Sequence, residues 1–210
     1  MNIETEAYLK QVENWPKTGK HILANYDDDT IIVYQAYRLS IGNFALKNGY
    51  FGGYFKYTRM SWIKPNFLWM MYRSGWGIKE DQEIILAIRL RREFFDELLS
   101  LAVPSSYSNR MKETQGSWKE KIKTSSVRLQ WDPDHNPIGN KVERRAIQLG
   151  LRDNALESYG KKEAIEIINM SDFVAEQREN KKDLSLLIPR ERVYVPENIG
   201  ICQKLGLSIE

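Results

Sequence analysis

The sequence predicts an α+β fold, a single domain over 1–210 with a central mixed or antiparallel sheet of about six strands flanked by four or five helices. Three observations predict it. Short runs with two-residue alternation of apolar side chains recur between residues 30 and 195, and helical patterns separate only some of them. Elements that do not alternate strictly argue against a doubly wound parallel sheet. The 210-residue chain, 42% hydrophobic and 28% charged, with 6 Trp, 11 Tyr and 7 Phe, can bury one sizeable core and is too aromatic for disorder.

The first strand is expected at 30–37, where Ile31, Val33, Gln35 and Tyr37 make one face and Ile32, Tyr34 and Ala36 the other. Asp27, Asp28 and Asp29 precede it as a polar turn; they lack the alternating ligands and distant glutamate of a calcium loop. Ser40 is placed to cap a short helix carrying Ile41, Phe44 and Ala45 on one side, and Gly49 to end it. The aromatic, glycine-rich stretch 50–57 reads as a loop or short hairpin. Pro65 then opens a second helix, apolar all round through residues 67–72, which Gly75 and Gly77 terminate.

Ile84, Leu86, Ile88 and Leu90 on one face predict a strand over 83–91, followed directly by a helix over 92–101 with Phe94, Phe95, Leu98 and Leu99 at helical spacing. Residues 104–126 are rich in Ser and Lys and read as a long, mobile surface connection. A strand over 126–132 sets Val127, Leu129 and Trp131 against Arg128, Gln130 and Asp132. After a turn over 132–137, a strand over 145–151 sets Ile147, Leu149 and Leu151 against Ala146, Gln148 and Gly150. A short helix at 154–159, a strand at 164–168, a helix at 172–179 capped by Ser171, and one or two short strands around Pro189 complete the chain.

Composition narrows the chemistry. The single cysteine, Cys202, excludes an internal disulfide, and with the distant His21 and His135 it makes no zinc spacing, so no metal is expected. No apolar run nears the ~20 residues that span a bilayer, and the opening MNIETEAYLKQ lacks a secretory pattern, which predicts a cytoplasmic protein without a membrane partner. The net charge of +3 permits a phosphate-bearing partner without demanding one, and no glycine-rich phosphate loop is present.

The densest constellation is 57–76, YTRMSWIKPNFLWMMYRSGW, which interleaves Arg59, Lys64 and Arg73 with Trp62, Trp69, Tyr72 and Trp76. Rings of this kind stack on bases while guanidinium and ammonium groups neutralise phosphate. The same residues also read as core aromatics with cations at helix ends, and the sequence leaves both readings open. Lys64 precedes a proline and is pushed toward an extended conformation, which can aim it into a cleft. A second candidate is the polar face of the strands: Gln35, Tyr37, Arg89, Arg91, Arg128, Gln130, Asp132 and Gln148 mark a ligand groove if those strands are neighbours, and a solvated face otherwise. His135 is a candidate acid or base, or a surface-turn histidine; Glu191, between Arg190 and Arg192, is a candidate catalytic carboxylate, or half of a solvated ion pair.

The motifs VYQAY at 33–37, RMSWIKPNFLWMMYRSGW at 59–76, QWDPDH at 130–135, RAIQLGL at 145–151 and IPRERVY at 188–194 make most of the chain resemble the family called domain of unknown function 4291. That family carries no activity to transfer. The order of elements also resembles compact ADP-ribosyltransferase folds, which implies NAD as cofactor, an Arg or His on the first strand, and a late glutamate that orients the ribose. Tyr34, Gln35 and Arg38 hold the early positions here and Glu191 the late one, although the usual triads do not map cleanly.

The combined expectation is a nucleotide-binding enzyme, an ADP-ribosyltransferase-like transferase acting on a nucleotide or nucleic acid. Gln35, His135 and Glu191 would be catalytic, and Arg59, Trp62, Lys64, Arg73, Trp76, Tyr34, Arg38, Gln130 and Gln148 would hold the ligand. Two rivals stay open: a non-catalytic nucleic-acid-binding module, and a structural or partner-binding protein whose aromatic segment is wholly internal.

Overall fold

A computed structural model of the chain describes residues 3–109, 111 and 113–208. β1 (Thr5–Ala7), α1 (Tyr8–Asn14), β2 (Ile22–Ala24) and β3 (Thr30–Tyr37) open it, and α2 (Leu39–Asn48) leads through a loop to β4 (Ser61–Ile63) and α3 (Phe67–Ser74). β5 (Ile84–Arg91) runs directly into α4 (Arg92–Leu101), followed by β6 (Val103–Pro104), α5 (Gln115–Thr124), β7 (Val127–His135) and β8 (Lys141–Leu151). α6 (Asp153–Ser158) continues as a π-helical turn (Tyr159–Glu163), and β9 (Ala164–Asn169), α7 (Ser171–Glu179), β10 (Leu187–Pro189), β11 (Arg192–Tyr194) and α8 (Ile199–Leu205) follow.

The fold is α+β, with its strands in several mostly antiparallel sheets. β3, β5 and β9 form one sheet with β5 central; β4, β8, β7 and β6 form another, in that order, with only β6 parallel to its neighbour. Two backbone hydrogen bonds join them, Tyr34 N to Lys64 O at 2.7 Å and Lys64 N to Tyr34 O at 3.3 Å, so β3 meets the chain just beyond β4. Two small ladders, β1 with β10 and β2 with β11, flank this arrangement.

Hydrophobic burial fills both sides of β3 and β5. Ile31, Val33, Leu86 and Ile88 face a core shared with Phe95, Leu129, Ile147 and Leu149. Ile32, Tyr34, Ile85 and Ala87 face a second core shared with Phe67, Met71, Val174 and Ile188. Each buried Val, Leu, Ile, Phe or Met among them stabilises the fold by about 1.5–3 kcal/mol through removal from water, which is why both faces of these strands are apolar. α3 lies in the second core, and its all-round apolar character follows.

Several local expectations need correction. Pro65 does not open α3; Asn66 caps it, its Oδ1 accepting from Trp69 N at 2.7 Å. Ser40 and Ser171 sit inside the first turns of α2 and α7 and cap neither, and Ser171 Oγ accepts instead from Ile85 N at 3.1 Å. Gly49 (φ 74°) and Gly75 (φ 59°) do end their helices in the left-handed region. The Asp-Pro-Asp-His segment is strand, because a register shift in β7 between Pro133 and His135 accommodates the proline; the turn falls later, around Asn136 and Gly139. The connection at 104–126 contains α5, capped by Thr114, whose Trp118 donates to Pro104 O at 2.9 Å; its residues 110 and 112 lie outside the described residues.

No helix among the described residues is long and apolar enough to cross a membrane.

α2 approaches β5 through Gly42, where a Cβ would stand 2.4 Å from Ile84 Cγ2. Gly42→Ala should therefore lower stability by about 1–3 kcal/mol through overpacking, seen as a reduced urea midpoint at unchanged slope.

Candidate functional site

α3 is positioned by a buried carboxylate. Glu191 is 2% exposed; its Oε1 accepts from Phe67 N at 2.6 Å and its Oε2 from Asn66 Nδ2 at 3.1 Å, so it satisfies donors at the helix N-terminus. Burial pushes the Glu191 carboxyl well above the usual carboxylate range, and the Phe67 N–H opposes that. Its backbone is fixed too, with N donating to Gln11 Oε1 at 2.8 Å and O accepting from Trp15 Nε1 at 3.0 Å. Beside it, the buried Asp134 and Arg144 form an ion pair at 2.5 Å, and Arg144 lies over Trp15. Glu191 thus has no route to a substrate, and the catalytic part expected for it gives way to an architectural one.

A cavity of about 170 Å³ opens where β3 and β4 separate beyond the Tyr34–Lys64 bridge. Its wall includes Gln35, Tyr37, Ser61, Trp62, Lys64 and Arg73. Under the wall runs a hydrogen-bonded chain: Tyr159 OH, from the π-helical turn, donates to Gln35 Oε1 at 2.7 Å, and Gln35 Nε2 donates to Ser61 Oγ at 2.9 Å and Trp62 O at 3.1 Å. Tyr37 OH shares a 2.7 Å hydrogen bond with Ser61 Oγ. Burial pushes the Tyr37 and Tyr159 hydroxyls up, so both stay protonated at neutral pH. The amide of Gln35 is committed at both ends, which suits it to holding the two strand edges at a fixed spacing.

Lys64 is 5% exposed, and its pKa falls to about 7, first because burial disfavours the ammonium and then because Arg73 adds a like charge; Asp132 pulls the other way. Among the described residues neither Lys64 nor Arg73 forms an ion pair. Asp132 is held by Gln130 Nε2 at 2.8 Å and Gln148 Nε2 at 2.6 Å, across the paired strands β7 and β8. Gly150, opposite Trp62 in the ladder, lets the indole lie against β8, since a Cβ there would come within 3.0 Å of the ring and 2.7 Å of Met60 Sδ. One ring face rests on the strand.

The remaining expected residues scatter. Arg59 is exposed and stands apart from the cavity lining, and Arg38 is exposed over the Tyr54 ring, 5.5 Å from its centroid. Tyr34 is fully buried edge-on to Phe67, and Trp76 is buried with Nε1 donating to Pro137 O at 3.1 Å, beside a separate depression of about 250 Å³. His135, expected in a surface turn, is 2% exposed and parallel to Tyr72 at 3.6 Å and Trp69 at 5.2 Å. Burial lowers its pKa and keeps it neutral, and it lies outside the cavity wall. Of the polar strand face, Arg89 and Arg91 pair with Glu166 and Glu163 at the far edge of the β3–β5–β9 sheet. Ser61 and Tyr159 belong to the site and carried no signal in the sequence; Tyr159 meets Gln35 across 124 residues.

Among the described residues, no group of three or more His, Cys, Asp or Glu is arranged to hold a metal ion. The family model described as Domain of unknown function (DUF4291) matches residues 21–194, a span that includes every residue of the cavity wall. No curated protein matches the chain.

Glu191→Ala leaves Phe67 N and Asn66 Nδ2 unsatisfied in the interior and should cost about 2–4 kcal/mol of unfolding free energy in urea denaturation. Lys64 gives a pH test. Its folded pKa of about 7 lies below the unfolded value of 10.5, so its contribution to stability is complete above 10.5 and is lost as pH falls through about 7. Relative to Lys64→Met, the unaltered protein should gain up to about 1.4 kcal/mol per pH unit across that window, read from denaturation at stepped pH.

Proposed function

From its membership of the DUF4291 family, to which the chain belongs through residues 21–194, no reaction follows, and we propose from the cavity itself that the protein binds a nucleotide. In this reading the phosphate sits between Lys64 and Arg73, and the base lies on the outer face of Trp62. One observation carries it: two cations share one cavity wall with no carboxylate paired to either among the described residues. Lys64 is buried beside the exposed Arg73, and a second like charge near a buried ammonium is unfavourable until an anion joins them. A bound phosphate would raise the Lys64 pKa, so binding would take up a proton near neutral pH.

Size supports the division of the ligand. Pockets that enclose whole small molecules run from about 300 Å³ upward, and this cavity of about 170 Å³ suits a phosphate with its sugar while the base stays outside. An NAD-using, ADP-ribosyltransferase-like reaction would draw on the same phosphate site. Its catalytic carboxylate cannot be Glu191, which is sealed, so any bond-making group belongs to the cavity wall itself.

The experiment is a thermal-shift and tryptophan-fluorescence titration with ADP, ATP, NAD and a short oligonucleotide. A ligand at 100 times its dissociation constant should stabilise the fold by about 2.7 kcal/mol. Arg73→Ala should weaken nucleotide binding roughly 10- to 100-fold without lowering the ligand-free melting temperature, because Arg73 is exposed, forms no ion pair among the described residues and only repels Lys64. Arg59→Ala should change neither. If no nucleotide shifts melting or fluorescence at millimolar concentration, the reading fails.

A further inference from the structure

Lys64 differs from every exposed lysine of the chain in how it is mounted. Its backbone is bonded in both directions to Tyr34, Pro65 follows it, and Asn66 is tied to the buried Glu191. The stem therefore has a fixed origin, and the amine reaches the wall of an open cavity without an ion pair among the described residues. Arg73 on the same wall makes a second positive charge unfavourable. A lysine whose pKa of about 7 leaves about half of its amine unprotonated at neutral pH is, in such a place, a nucleophile.

We infer that Lys64 condenses with the open-chain aldehyde of a sugar phosphate whose phosphate is held by Arg73. The lone pair of Nζ attacks the aldehyde carbon, and the carbonyl oxygen takes up a proton to give a carbinolamine. Loss of the second amine proton and departure of the hydroxyl as water leave the carbon–nitrogen double bond of an imine. One water is released and nothing is oxidised or reduced. The ligand-free pKa of about 7 is low enough that a fraction of the amine stays free for the attack even after the phosphate on Arg73 raises it, and the volume of about 170 Å³ matches a sugar phosphate better than a dinucleotide. The inference rests on the phosphate site proposed above.

The test treats the full-length chain with ribose 5-phosphate and sodium cyanoborohydride, then maps the modified lysine by peptide mass spectrometry. The expected result is one sugar phosphate per chain on Lys64, formed at least tenfold faster than on exposed lysines such as Lys47 and Lys182. Ribose without its phosphate, competing inorganic phosphate, and Arg73→Ala should each slow it about tenfold or more. The mapping uses the unaltered protein, so it does not depend on a Lys64 variant folding. Labelling of Lys64 no faster than of Lys47 and Lys182 overturns the nucleophile; if ribose 5-phosphate still quenches tryptophan fluorescence, the phosphate site survives that failure. Neither labelling nor quenching overturns both. Labelling of Lys64 that ignores the sugar's phosphate and Arg73→Ala overturns the substrate class.

Discussion

The pair of backbone hydrogen bonds between Tyr34 and Lys64 governs this structure, because it is where two sheets become neighbours and also where their pairing stops. Had the ladder continued, Gln35 and Trp62 would lie in a closed sheet. Instead the edges part, Trp62 O is left without a strand partner, and the side chain of Gln35 reaches across to satisfy it. A buried carbonyl demands such a partner. The cavity is thus the space an incomplete sheet leaves, kept open by side chains that replace the missing ladder. Tyr159, from a helical turn with π geometry, holds Gln35 from behind, and Ser61 and Tyr37 complete the wall.

The other side of the bridge is fixed by α3. Proline at 65 keeps Lys64 out of a helix, Asn66 starts the helix, and Glu191 grips its first amide from a segment 124 residues away. The charged carboxylate is costly to bury, and the hydrogen bonds from Phe67 N and Asn66 Nδ2 offset only part of that cost, since the carboxyl is still pushed well above its usual range. Lys64 and Arg73 therefore approach the cavity from opposite ends of one rigid stretch, with Trp62 on the strand before it. A rigid origin for each cation limits how far the pair can spread apart to relieve repulsion, which makes the wall electropositive by construction.

Much of the frame could be read directly. Eight-residue strands such as β3 and β5 repeat their alternation often enough to register, and α3 and α4 carry clear apolar patterns. Strands of two or three residues, β1, β2, β4 and β6, hold too few positions for any period, so β4, on which the cavity depends, left no trace. The interleaved cations in 59–76 were visible, but their separation was not: Arg59 stands outside the wall and Arg73 in it, according to how the loop before β4 and the turn of α3 are oriented. His135 and Glu191 looked polar and therefore exposed. Both are interior because partners distant in sequence, Trp69 and Tyr72 for one and Asn66 and Phe67 for the other, enclose them.

A methionine at 64 would fill nearly the same volume as the lysine stem without the cost of hiding an amine. The surrounding structure makes that amine worse placed than burial alone would, by setting Arg73 beside it and leaving Asp132, the carboxylate that partly compensates, engaged by two glutamine amides. Nothing in the packing calls for a charge there. A buried ionisable group that local rules disfavour, mounted on a doubly bonded backbone and facing an opening, is the pattern expected where stability has been exchanged for chemistry. A purely structural account of the 59–76 segment explains Phe67, Trp69 and Trp76 and leaves Lys64 without a reason; the proposed anion site would supply one.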